Sequence, residues 1–349
     1  METFYFASLA HGLKGFNYYM FSQGINPKGK GYFGKTFYYQ TPLSENADKS
    51  PLYDSIKKIN DFINREKEEL LLSETKADIC VGFYKPYFYT ELTTSQLLKE
   101  KRLYIEKLGL TLDPRFVREE IFFNGLLRSL QTLNFNYDIS DLENSNAENL
   151  LRYKQLWVVT TEFMDASTQK LLAAYVKKGG QLIIYPIIPT LDLYLNQCSI
   201  LKDELEIEFQ KSISPNKVDA FGIDDVYSVF QEKQIFQNIS KTEIVSATKT
   251  GEVCGIRKNI GDGIVTFLGF AFGYTSDEHL HIVEKILSLN KIKRQIKVSD
   301  PDIQFVIRKS RKYSYLFVLN YHNQRKVFMA NSKKYTMKPF SYKVVKMKL

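Results

Sequence analysis

NYYMFSQGINPKGKGYFGKTFYYQTPL, residues 17–43, reads as a short apolar strand running into a long loop of Gly, Tyr, Lys and Phe that closes on Thr-Pro-Leu. A helix-like run, residues 2–12, precedes it. Residues 51–72 follow, with Leu52, Ile56, Ile59, Ile63 and Leu70 near one helical face. Helix, strand, long aromatic loop, helix is the pattern of the closing βα unit of a (β/α)8 barrel, a fold that binds its ligands among the βα loops at the strand ends. A long loop at such a point is usually functional or disordered. Tyrosines at a strand end, here Tyr18, Tyr19, Tyr38 and Tyr39, can stack on a sugar face and hydrogen-bond its hydroxyls.

The same residues carry a family resemblance. Asn17-Tyr18-Tyr19-Met20-Phe21, then Gly24 and Asn26, then Tyr39 followed by Pro42-Leu43-Ser44-Glu45, resemble the last barrel strand and loop of family 35 β-galactosidases. Ala10-His11-Gly12 resembles the Ala-His-Gly of family 42. The resemblance implies that Tyr19 and Tyr39 line a sugar subsite, with Asn26, Gln23 and Tyr38 as further candidates. The sequence departs from the family pattern at Gln23, Ile25, Phe37, Tyr38 and Gln40, which puts the sugar preference in question.

Enzymes of that kind work with two carboxylates carried on different strands. In the resembling families both precede the closing strand. Glu2 falls at the start of a helix and not at a strand end, so it does not qualify as a nucleophile. The expectation is that this chain holds no catalytic residue, the acid/base and the nucleophile lying upstream of it.

Composition supports a globular protein of two or three domains, with 44% hydrophobic and 25% charged residues in 349. Cys80, Cys198 and Cys254 are far apart and form neither a disulfide framework nor a zinc knuckle, which suits a reducing, cytoplasmic setting. No run has transmembrane length and no signal peptide is visible. The net charge of +9 is uneven: residues 285–349 hold 17 Lys or Arg against Asp300 and Asp302, leaving −6 to the rest. That terminus could meet an anionic polymer. A solvated lysine face, or a surface docked on the acidic body, explains it as well. Lysines outnumber arginines 37 to 11, the wrong bias for bidentate phosphate recognition, so nucleic acid is not expected as a partner.

Along the chain, residues 65–69 read as a solvated charge run and 73–76 as a connector. Residues 78–83 read as a buried strand, 97–108 and 116–133 as helices, and 136–139 as a short strand. Residues 156–186 form the clearest unit. A continuous apolar strand at 156–161 leads to a helix capped by Asp165 and stopped at Gly179-Gly180, and a returning strand follows at 181–186. This β-α-β crossover, with its neighbours, implies a flavodoxin-like parallel sheet. No Gly-x-Gly-x-x-Gly or Walker pattern follows a strand, and no Cys sits on a nucleophile turn with a His partner, so no cofactor is expected. The shape resembles the amidotransferase-like domain after the barrel in family 42 enzymes. There that domain helps subunits associate.

Residues 191–238 read as irregular. Residues 252–258 and 264–270 read as strands joined around Asn259-Ile260-Gly261-Asp262-Gly263, whose Asp-Gly favours a tight hairpin. His279 and His281, two apart, read as surface or capping residues and not as metal ligands. From residue 296 the period becomes two, giving strands at 304–308, 313–320, 326–330 and 342–347 and a small antiparallel sandwich. It resembles the C-terminal β domain of family 42. A family 35-like barrel end on a family 42-like body is the combination of archaeal exo-β-glucosaminidases.

The expected organisation is therefore a barrel remnant (1–74), a flavodoxin-like α/β domain (75–292) and a small basic β-sandwich (293–349). The leading reading is the C-terminal part of a retaining exo-β-glycosidase, β-galactosidase or β-glucosaminidase in type. Its expected partners are a β-linked sugar, a barrel half if separately encoded, and further copies of itself. The alternative is a non-catalytic oligomerisation or binding module.

Overall fold

The computed structural model describes residues 1–31, 34–36, 41–92, 122–273 and 276–349. The chain divides into two compact units: a terminal unit of Met1–Lys76 with Ile296–Leu349, and a central unit of Ala77–Gln295. The segments read from sequence as a barrel remnant and a separate sandwich thus lie in one unit.

The terminal unit is built on a four-stranded antiparallel sheet in the order Glu74–Thr75, Ile303–Lys309, Tyr313–Asn320, Ser341–Lys348. Strand alternation sends Val306, Tyr315, Phe317 and Leu319 to one face, where they pack with Phe6, Leu9, Ile59 and Leu70. The last four belong to two helices, α1 (Glu2–Ala10) and α2 (Pro51–Leu72). Ile303, Phe305 and Val318 point the other way and pack with Phe328 and Met337 of the hairpin Lys326–Ala330/Lys333–Met337. The sheet is therefore sandwiched between a helical layer and a hairpin.

Polar residues in this unit take places that the sequence alone did not fix. Arg308 is 1% exposed, and its guanidinium donates to the Leu70 and Ser73 carbonyls at 2.9 and 2.7 Å and also to the Leu9 carbonyl. One cation so caps the C-terminal ends of both helices, where the last carbonyls lack intrahelical partners. Glu66 sits inside the run expected to be solvated, yet it is 8% exposed. It accepts from the Tyr315 hydroxyl at 3.0 Å and the Lys346 ammonium at 2.7 Å. Burial pushes its carboxyl up, but these donors and Arg65 hold it below the usual range. Glu74–Thr75, expected as connector, pairs with Arg308 and Lys309.

In the central unit the described residues form a nine-stranded sheet. Tyr137–Asp141, Ile79–Phe83, Gln155–Thr160, Gln181–Pro186 and Gly263–Leu268 run parallel in that order. Val253–Ile260, Glu243–Thr248, Lys217–Ala220 and Ile223–Tyr227 continue it antiparallel. The crossover helix Ala166–Lys177 begins where Asp165 Oδ1 accepts from Thr168 N at 2.9 Å, as its sequence predicts. The helix expected at 97–108 and the start of that expected at 116–133 lie outside the described residues; Phe123–Thr132 is helical.

Two regions correct the sequence reading. Residues 191–238, expected to be irregular, contain four short strands, Glu208–Ile213, Lys217–Ala220, Ile223–Tyr227 and Glu232–Gln237. Their outward residues are charged and their runs short, which hides the period. Lys233 is 1% exposed there, its ammonium held by the carbonyls of Ser214, Pro215, Phe230 and Gln231 at 3.0–3.4 Å. The hairpin turn is Gly261-Asp262, with Gly261 at φ +57° and Ile260 paired to Gly263, one residue earlier than Asp262-Gly263.

His279 is a third correction: it is fully buried and not a surface residue. Its Nε2 lies 2.7 Å from the Tyr227 carbonyl and its Nδ1 lies 3.3 Å from Gly273 N. Burial holds the imidazole below its ordinary value, against the opposing effect of those hydrogen bonds. The folded state therefore resists protonation. Its contribution to stability is complete above the unfolded value of about 6.5 and is lost as pH falls below it. Urea midpoints read from Trp157, the single tryptophan and a buried residue of this unit, should fall between neutral pH and the onset of carboxylate titration. In His279→Gln that slope should shrink; an unchanged slope would remove His279 as its source.

Candidate functional site

The loop expected to carry the site is built in the terminal unit from single bridges, not from a strand. Among the described residues, Ser22 pairs with Leu43, Ile25 with Thr36 and Leu43 with Lys49. Among the described residues the strand expected near residues 17–21 forms no ladder; its one backbone partner is Leu43, whose N–H donates to Phe21 O at 3.1 Å. The extended alternation survives: Phe16, Tyr18 and Met20 are half-buried, while Asn17, Tyr19 and Phe21 are exposed. Tyr18 donates to Asn60 Oδ1 of α2 at 3.0 Å and packs among Tyr5 and Phe16. Tyr19 is 82% exposed, its ring free to meet a ligand, and the Tyr19–Met20 peptide is cis.

The loop end is tied to the start of α2. Ser50 is the N-cap, accepting from Leu52 N at 3.2 Å and donating to the Thr41 carbonyl at 2.7 Å, and Pro51 fills the first helical position. Between loop and helix lies a cleft of about 550 Å³ lined in part by Gln23, Thr41, Ser44, Asp48, Lys49 and Ser55. Short hydroxyls, one amide, one carboxylate and one ammonium suit a polyhydroxylated ligand.

Of the five residues expected to contact sugar, Gln23 lines this cleft, its backbone fixed by N–H donation to Leu43 O at 3.0 Å. Tyr19 is exposed on the same loop but is not among the lining residues. Asn26 instead closes its own loop, donating through Nδ2 to Gly34 O at 3.0 Å and through its amide to Lys35 O at 2.8 Å. Tyr38 and Tyr39 lie outside the described residues. Ser44, Asp48 and Lys49 were missed. The N-cap serine followed by proline, which marks a helix start beside a loop, was the available signal.

Asp48 is the one carboxylate among the described lining residues, and a retaining pair needs two at about 5 Å. Glu2 accepts from Ser55, Lys58 and Tyr342 at 3.2, 2.7 and 3.1 Å. Burial raises its carboxyl, but these hydrogen bonds hold it below the ordinary value. A carboxylate so engaged ties α1 to α2 and the sheet. Among the described residues no group of three or more His, Cys, Asp or Glu is placed to hold a metal, and no helix is long and apolar enough to cross a membrane.

Residues 106–243 match the family model described as GLMA-like, second domain. The chain is 59% identical over 355 residues to a β-1,2-glucosyltransferase of Ignavibacterium album, covering 99% of this chain and 49% of that protein. It is 30% identical over 330 residues to an exo-β-D-glucosaminidase of Pyrococcus horikoshii, covering 86% of this chain and 38% of that one. In structure it is similar to a GH42 β-galactosidase from G. stearothermophilus, with a TM-score of 0.73, 11% identity, and coverage of 100% of this chain and 51% of that one. At that identity the likeness is one of fold. The chain has glycosyl-processing relatives, and it spans about half the length, or less, of the curated relatives it matches.

Proposed function

We propose that this chain is the C-terminal part of a retaining β-glycosyl-processing enzyme, acting on glucosyl groups and contributing one wall of the sugar site. The observation that carries this is the 59% identity to the β-1,2-glucosyltransferase across nearly the whole chain. The likeness of fold to GH42 β-galactosidases supports it, as does the cleft beside Gln23, an apolar surface set with hydroxyls, a carboxylate and an ammonium. In this reading residues 1–74 are the closing βα unit of a barrel, and the central unit is the flavodoxin-like domain that follows it in sequence. The chain works with polypeptide equivalent to the relatives' other half, assembles as an oligomer, and resides in the cytoplasm.

In a retaining enzyme a carboxylate displaces the leaving group at the anomeric carbon while a second carboxyl protonates it. A glycosyl-enzyme is left. If water attacks, the outcome is hydrolysis; if a sugar hydroxyl attacks, the glycosyl group is transferred. Both carboxylates belong to the other half in this reading. This chain's part is to hold the sugars: Tyr19 offers a ring face, and Gln23, Ser44 and Asp48 offer hydroxyl partners, which favours an acceptor sugar over water. The relative's name gives a glucosyl group as what is transferred and β-1,2 as the linkage formed.

The test is reconstitution. The purified chain alone should neither hydrolyse aryl β-glucosides, β-galactosides and β-glucosaminides nor extend β-1,2-linked glucosides. Joined to or co-expressed with polypeptide equivalent to the relative's other half, it should do one of these, with transfer to β-1,2-glucosides foremost. Tyr19→Ala should then lower kcat/KM about tenfold, equivalent to roughly 1.4 kcal/mol of lost sugar contact. Turnover by the chain alone that Glu2→Gln abolishes would refute the proposal. Stable association with the other half and no turnover would favour the non-catalytic module.

A further inference from the structure

The hairpin Lys326–Ala330/Lys333–Met337 has an outer face that takes no part in that reading. Its inward residues Phe328, Ala330 and Met337 are buried against the sheet, on the side opposite α1 and α2. Strand alternation therefore turns Val327 and Met329 outward from one strand, and Lys334 and Thr336 from the other. Carried one residue further at the open end, the same alternation adds Arg325 and Lys338. All six are exposed, Val327 at 52% and Met329 at 42%. Across the strands Met329 pairs with Lys334 and Val327 with Thr336. Two apolar side chains are thus flanked by cations.

At its other end the hairpin closes on Asn331 and Ser332, both at positive φ, a tight two-residue turn. Lys333 follows the turn. Lys297 lies against it, its N–H donating to Asn331 Oδ1 at 3.2 Å. Both lysines are exposed. Among the described residues Lys297, Arg325, Lys333, Lys334 and Lys338 make no ion pair. The hairpin lysine that does, Lys326, meets Asp300 at 3.5 Å and also Asp302. Residues 303–349 hold 12 Lys or Arg and no Asp or Glu, so the neighbouring strands offer the five no carboxylate.

Five unpaired cations call for an anionic partner, and the chemistry of the face narrows the choice. Four of the five are lysines, point charges without the planar fork that reads a phosphate or a base edge. None of the six outward residues is aromatic, so no ring stands ready to stack on a base or a sugar. A solvated lysine face does not account for the two apolar side chains at its centre. Diffuse positive charge around aliphatic side chains suits a negatively charged lipid surface.

We propose that this hairpin face is a peripheral docking surface for an anionic lipid bilayer. The five cations meet the headgroup phosphates, while Val327 and Met329 enter the boundary between headgroups and acyl chains. The helical layer lies on the other face of the sheet, so docking leaves the cleft at the start of α2 open. Such docking is independent of any glycosyl chemistry.

Sedimentation of the full chain with sucrose-loaded vesicles tests this. Vesicles of equal parts phosphatidylglycerol and phosphatidylcholine should carry the chain down, less so as salt is raised, and pure phosphatidylcholine should not. Lys334→Glu and Lys338→Glu should each weaken partitioning about tenfold or more. Met329→Ser should weaken it with the salt dependence unchanged. Lys170→Glu makes an equal change of charge at an exposed position of the helix Ala166–Lys177 and should have no effect. In Met329→Trp the added emission should shift to the blue on anionic vesicles, while the buried Trp157 keeps its own. Every substituted position is exposed, and an unchanged Tm separates lost docking from lost folding. No sedimentation with anionic vesicles, an equal loss in Lys170→Glu, or no blue shift in Met329→Trp would overturn the proposal. So would a DNA duplex that binds more tightly than the vesicles and displaces them, which would make nucleic acid the ligand.

Discussion

Arg308→Leu should remove about 3–5 kcal/mol from the stability of the terminal unit, the range seen when a buried charged group is deleted and its partners are left unpaired. Three carbonyls depend on this guanidinium: Leu9 at the end of α1, and Leu70 and Ser73 at the end of α2. Leucine restores some packing but no donor. The sheet face between Val306 and Tyr315 would then press on unsatisfied helix ends. Arg308→Lys keeps the charge but not the planar fork that reaches three acceptors, so an intermediate loss is expected. Hydrogen exchange of peptides from residues 303–320 in rising urea reads the terminal unit. Trp157 emission reads the central unit and should keep its midpoint. A loss below about 1 kcal/mol would mean the helix ends find other donors, and the capping role would fall.

Gly263→Ala should be as damaging to the central unit, for a steric reason. A Cβ there would lie 2.0 Å from the Val176 carbonyl oxygen and 2.4 Å from that of Gly180. Both are backbone atoms, so no side chain can swing aside. The strand Gly263–Leu268 would have to move from the end of the helix Ala166–Lys177, undoing packing in the middle of the sheet. A cost of about 3 kcal/mol or more, or failure to accumulate as soluble protein, is expected. Gly251→Ala is the control. Its φ is +87° and nothing lies within 4 Å of the added carbon, so the cost should be the backbone term alone, about 1 kcal/mol. Trp157 unfolding curves compare the two; equal midpoints would show that the sheet yields freely at residue 263.

Legibility followed the range of the interactions. Residues 156–186 could be read from sequence because their signals are local: an apolar run, an aspartate cap, a Gly-Gly stop and a returning run. The helix Pro51–Leu72 carries its own cap and its own apolar stripe. The loop was recognisable from composition, yet period two alone could not say that Tyr18 faces Asn60 while Tyr19 faces solvent. The cleft that Gln23 lines is also lined by Ser44, Asp48 and Lys49, whose short polar run after a loop looks in sequence like any helix approach.

From sequence alone come the elements with local signals, the buried strands and capped helices of the central unit. Tertiary structure decided which polar side chains go inside and which segments join. Glu66 meets Tyr315 and Lys346 across 249 and 280 residues, and Arg308 meets Leu70 across 238. A buried charge is stable only where its partners converge. That convergence is a property of the folded chain as a whole, and no window of sequence contains it.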